Sequence, residues 1–103
     1  MKILRDFLGR RVRLTEERTA HILEHPEMRD FESALAGTLR DPELVFESVS
    51  DVTVLLCYRF VRDTMVGDKW LCVVVKYGRG EAYVLTAYLT DKPKRGKQLW
   101  PGE

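Results

Sequence analysis

The spacing of apolar residues changes character about halfway along this 103-residue chain. In the first half, Arg11-Val12-Arg13-Leu14 alternates polar and apolar positions, which predicts a short edge strand. Thr15 follows as a helix N-cap, with Glu16 and Glu17 in the first turn, where negative charge complements exposed amides. That helix is expected to run to about Glu24, because Pro26 disfavours helical geometry at His25. A second helix is expected from about Arg29 to Leu39, with Phe31, Leu35, Thr38 and Leu39 on one side, and Asp41-Pro42 stops it.

Beyond that point the pattern is strand-like. Strands are predicted over Leu44 to Ser48, Val52 to Val61, Trp70 to Tyr77 and Glu81 to Thr90, with turn residues Gly67-Asp68 and Gly78 to Gly80 between the last three. Helices at the front and strands at the back predict an α+β domain, with two N-terminal helices packed on one face of a four-stranded antiparallel sheet. One domain is expected over residues 1–103, with 91–103 a basic loop or tail from which Trp100 docks back.

The last hairpin carries the most specific expectation. If Lys76 pairs with Ala82, then Cys72 faces Thr86 and Trp70 faces Tyr88. One sheet face is then core, with Leu71, Val73 and Val75 against Tyr83, Leu85 and Ala87. The other collects Trp70, Cys72, Lys76, Ala82, Val84, Thr86 and Tyr88, an apolar floor interrupted by an ammonium, hydroxyls and rings.

Charge refines this picture. The net formal charge is +1, but it is segregated: +3 over residues 1–18, −5 over 19–91 and +4 over 92–97. A local cationic rim attracts phosphates even on a nearly neutral molecule, and solubilising lysines on a tail would leave the same trace. No apolar run reaches membrane-spanning length, and the first residues lack a secretory pattern, so a cytoplasmic protein without membrane attachment is expected. Cys57 and Cys72 sit in apolar strands and read as buried free thiols. No close cysteine pair accompanies the two histidines, so neither a metal site nor another cofactor is expected.

His21 and His25 stand four apart, on one side of the first helix if it reaches that far. An imidazole facing a cationic floor suits metal-free proton transfer to and from ribose and phosphate oxygens. Lys76 could stabilise developing negative charge, and Thr86 and Tyr88 could donate hydroxyls. Neighbouring strand residues face opposite ways, so only one of Tyr58 and Arg59 can join that floor. Arg59 is the better phosphate clamp, because a buried arginine needs an anion and its planar fork binds phosphate bidentately. Tyr58 is the reserve. Lys94, Arg95 and Lys97 are expected to contact the substrate backbone.

Several of these pieces recur in a fixed order: His21-Ile22-x-x-His25-Pro26, Gly37-Thr38-Leu39-x-x-Pro42-x-x-Val45, Tyr58-Arg59, Val73-Val74-Val75-Lys76, Thr86-Ala87-Tyr88 and Lys94-x-Gly96-x-x-Leu99-Trp100. The pattern, from about Val12 to Trp100, resembles the phage-associated nucleases of the barnase, EndoU, colicin and RelE-like superfamily. The resemblance implies one or two helices against a four-stranded antiparallel sheet, and metal-independent RNA cleavage by transesterification. It assigns catalysis to His21, His25, Arg59 (or Tyr58), Lys76, Thr86 and Tyr88. An RNA- or protein-binding module of the same fold without turnover is the alternative. RNA is the expected partner, with a protein inhibitor or antitoxin as a second.

Overall fold

In the computed structural model, which describes residues 1–102, a β-hairpin precedes the helices. Strands β1 (Lys2–Arg5) and β2 (Arg11–Leu14) pair antiparallel, followed by α1 (Glu16–Leu23), a 3-10 helix over Pro26–Phe31 and α2 (Glu32–Arg40). Four strands then run as a meander: β3 (Leu44–Glu47), β4 (Val54–Thr64), β5 (Gly67–Gly78) and β6 (Glu81–Thr90). The last element is β7 (Lys97–Trp100).

These strands form one sheet in the order β1-β2-β6-β5-β4-β3-β7. It has seven strands and is mixed, since β2 and β6 run parallel at Arg13 and Tyr83. This corrects the expectation of a four-stranded antiparallel sheet preceded by two helices. Of the three added strands, β2 lies between β1 and β6 and not at the edge expected of it, while β1 and β7 are edge strands whose four-residue patterns are too brief to register as periodicity.

The helices cover one sheet face. Ile22, Met28, Leu35 and Leu39 meet Val12, Leu14, Val45, Cys57, Leu71, Val73 and Val75, all buried. The Thr15 side chain accepts from the Arg18 amide, as its position predicts for an N-cap. His25 adopts extended geometry ahead of Pro26, and a 3-10 turn fills the stretch expected as the start of α2. The two edges of the sheet meet beside this core, where Phe7, from the β1–β2 turn, packs with its ring centroid 5.5 Å from that of Trp100 of β7, the rings tilted by 52°.

The β5–β6 register differs from expectation by one residue near the turn, with Lys76 opposite Tyr83 and Tyr77 opposite Ala82. Gly78 pairs with Glu81, leaving the two-residue turn Arg79-Gly80, with Gly80 at φ +73. A slip of one residue inverts the faces, so Ala82 and Val84 join the helix-side core. A bulge at Leu85 then restores parity: Cys72 faces Tyr88 and Trp70 faces Thr90. Leu85 packs on the face away from the helices, not in the expected core.

Among the described residues, no helix is long and apolar enough to cross a membrane.

Candidate functional site

The sheet face opposite the helices carries a second apolar cluster. Leu56, Tyr58, Cys72 and Val74 are its buried centre, ringed by half-buried Phe46, Trp70, Leu85 and Tyr88. Tyr58 is fully buried, with Phe46 and Trp70 edge-on to its ring at 6.0 and 6.4 Å. The expected open floor is therefore packed and dry at its centre.

The connection between β6 and β7 is what covers it. Strand β6 lies inside the sheet and β7 at its far edge, so residues 91–96 must cross β5, β4 and β3. They do so on the face away from the helices. The Lys94 amide donates to the Tyr58 hydroxyl at 3.0 Å, and the Lys94 ammonium lies 5.7 Å above the Tyr88 ring. Gly96 passes so close to β3 that a Cβ there would stand 2.4 Å from the Glu47 carbonyl oxygen. The basic segment is thus a strap pinned at two points, and the expected tail ends in a paired strand.

Along this strap Lys92, Lys94, Arg95 and Lys97 are exposed, and none forms an ion pair among the described residues. Two lysines of β5 are matched: Lys69 pairs with Asp91, and the Lys76 ammonium donates to Asp51 at 2.8 Å. That lysine holds the Asp51 carboxyl well below the usual carboxylate range, helped by Thr53.

The expected catalytic residues fall into three separate places. Lys76, Thr86 and Tyr88 share the strap face, though Lys76 is tied to Asp51 and four residues of β5 separate its row from that of Tyr88. Arg59 points to the helix side. It donates to the Asp41 carbonyl at 2.8 Å and approaches the Asp41 carboxylate at 3.4 Å, beyond the end of α2. Tyr58, the reserve, is the one on the strap face, and burial pushes its hydroxyl up to about 12. His21 and His25 lie in the helix layer with side chains 56% and 65% exposed, each nearest to a glutamate of its own segment. A helix layer and a sheet are roughly 10 Å apart, so neither imidazole meets the Lys76–Thr86–Tyr88 face. Lys94, Arg95 and Lys97 are the expected contact residues that the structure does gather.

Burial raises the pKa of both thiols, Cys57 and Cys72, the latter to about 11, which keeps them protonated and unreactive. The Tyr88 hydroxyl is enclosed without a hydrogen-bond partner among the described residues, and burial raises its pKa as well. No group of three His, Cys, Asp or Glu side chains among the described residues could hold a metal ion.

Two contributors escaped the sequence reading. Gly96 is required where the strap meets β3, and only the crossover shows why. Arg5 and Arg11 share the strap face near the first hairpin; the polar–apolar alternation of β2 was the available signal, but β1 was not recognised as its partner. Comparison with protein-family models, curated proteins and solved structures finds no match to this chain. The likeness to phage-associated nucleases therefore rests on its ordered motifs alone.

Proposed function

We propose that this protein binds a single strand of nucleic acid, RNA by the motif resemblance, along the strap and the half-buried rings beside it. One observation supports this reading over that of a solubilising tail: the unpaired cations sit on backbone fixed by Tyr58 and Glu47. A flexible tail would lose conformational freedom on binding; a pinned strap has already lost it. Cationic side chains track a phosphate backbone, and Trp70 and Tyr88 offer ring surface at the margin for bases.

The same arrangement favours binding without turnover. Acid–base cleavage needs a proton donor or acceptor within hydrogen-bond reach of the phosphate, and the two imidazoles lie across the sheet from the strap. The test is fluorescence anisotropy with a labelled 12-nucleotide RNA and chelator, from 50 to 200 mM salt. Neutralising three or four phosphates predicts a slope of log affinity on log salt of roughly −2 to −3. The triple variant Lys94→Ala/Arg95→Ala/Lys97→Ala should flatten that slope by about 2. Equal binding by the triple variant, or no binding at 50 mM salt, would overturn the reading. Gel analysis of the same samples reads cleavage separately.

A further inference from the structure

The β4–β5 hairpin outruns the rest of the sheet. Pairing of β3 with β4 ends at Tyr58 and pairing of β6 with β5 ends at Trp70, so residues 61–69 project as a two-stranded arm with no strand beside them. From Trp70 to its turn at Gly67 the arm reaches roughly 10 Å at ~3.3 Å per residue. Its root fixes which way it faces. Tyr58 lies in the apolar cluster under the strap, so alternation puts Phe60 and then Arg62 on that same face, and Phe60 pairs directly with Trp70.

The two half-buried rings meet edge to face, with centroids 5.3 Å apart and planes at 67°. The exposed Arg62 guanidinium stands over Phe60, 5.4 Å from the ring centroid. It has no carboxylate partner among the described residues. The acids of the arm are Asp63 and Asp68, and Asp68 accepts from the Asp63 amide at 2.9 Å rather than pairing with Arg62. Arm and strap are also tied together. Lys69 of the arm pairs with Asp91, the first residue after β6, and the Phe60 amide donates to the Glu43 carboxylate at 2.9 Å. Along the strands the features fall in rows: Lys94 over Tyr58 and Tyr88, then Trp70 beside Phe60, then Arg62. The rings thus lie between two sets of unpaired cations.

On the reading that the strap binds a strand, we infer that the arm continues the same site, with Arg62 taking the phosphate of the nucleotide whose base stacks on Trp70. Phe60 is a positioning residue: it backs Trp70 with its edge and holds the guanidinium near the ring before the strand arrives, so less side-chain freedom is lost on binding. A base can reach Trp70 only when it is unpaired, which makes single-stranded RNA the ligand class of the joined surface.

The experiment uses the full chain, Arg62→Gln, and Arg79→Gln as a control. Arg79 is equally exposed and unpaired, but sits at the turn of the β5–β6 hairpin. Anisotropy with the labelled 12-nucleotide RNA is read from 50 to 200 mM salt. Arg62→Gln should weaken binding several-fold and flatten the salt slope by about 0.7, the share of one phosphate of a single strand, while Arg79→Gln leaves both as in the wild type. Phe60→Leu should weaken binding in the wild type, much less in the Arg62→Gln background, and Phe60→Tyr should bind as the wild type does. A purely structural role would instead lower the melting temperature and weaken binding equally in both backgrounds. Arg62→Gln binding like the wild type while the strap triple variant loses affinity overturns the arm and leaves the strap reading standing. A loss in Arg62→Gln with an unchanged slope, or an equal loss in Arg79→Gln, overturns it as well. No binding by the wild type at 50 mM salt overturns both.

Discussion

Gly96→Ala is the sharpest perturbation of the strap. The added Cβ would stand 2.4 Å from the Glu47 carbonyl oxygen, whereas carbon and carbonyl oxygen ordinarily come no closer than about 3.3 Å. About 1 Å of movement is therefore needed. Strand β3 cannot supply it easily, since Glu47 is paired to Leu55 on one side and Lys97 on the other. The strap must lift instead, which weakens the Glu47–Lys97 pairing and the bond from the Lys94 amide to Tyr58. Overpacking of this kind costs about 1–3 kcal/mol, and a buried hydroxyl left unpaired falls in the same range. Taking about 2 kcal/mol in total, the melting temperature should drop by roughly 10 °C for a domain of this size. Chemical denaturation gives the stability, and hydrogen exchange at the Lys94 amide tells whether the loss is local. The Tyr58 hydroxyl, pushed up to about 12 chiefly by burial, should titrate lower once uncovered. Unchanged stability together with a Lys94 amide as protected as in the wild type would refute the reasoning.

Other outcomes follow from the same geometry. Asp6→Asn should cost about 1–3 kcal/mol in denaturant at neutral pH, because the buried carboxylate holds Tyr77, Arg10 and two backbone amides. Burial raises the Asp6 pKa, but the Tyr77 bond, those amides and Arg10 outweigh it and leave the carboxyl below its ordinary value. Its contribution is therefore present above the unfolded value near 3.8 and lost as pH falls through the lower folded one, so Asp6→Asn should flatten the acid limb of the stability profile. His21→Ala/His25→Ala should leave RNA affinity and the RNA's integrity as in the wild type, since both side chains lie in the helix layer; a large change in either would return the histidines to the site. Cys57 and Cys72 should react with an aromatic disulfide reagent only on unfolding, and rapid modification of the native protein would contradict their burial.

Local signals in the sequence located the elements they govern. The Thr15 cap and the Pro26 break lie where local signals place them, and the long apolar strands lie close to theirs, except that β4 runs on to Thr64 and β5 begins at Gly67, so that Gly67-Asp68 is strand and not the expected turn. What depends on partners was hidden. The bulge at Leu85 has no local marker, and it decides which of Ala82, Val84 and Leu85 enter the helix-side core. Arg59 was assigned to a phosphate because a central arginine needs an anion, but Asp41 supplies one from the end of α2. The Lys92 to Lys97 run was legible as charge, whereas its course across the sheet depends on β7 pairing with β3, a non-local choice. The histidines shared a helix-spacing pattern with no information on which sheet face that helix would cover.

The most direct test of the account is backbone amide mapping by NMR of the full chain with the 12-nucleotide RNA at 50 mM salt. Shifts should concentrate in residues 92–97 and at Trp70 and Tyr88, with α1 around His21 and His25 undisturbed. Shifts centred on the helix layer, or none on the strap, would contradict it.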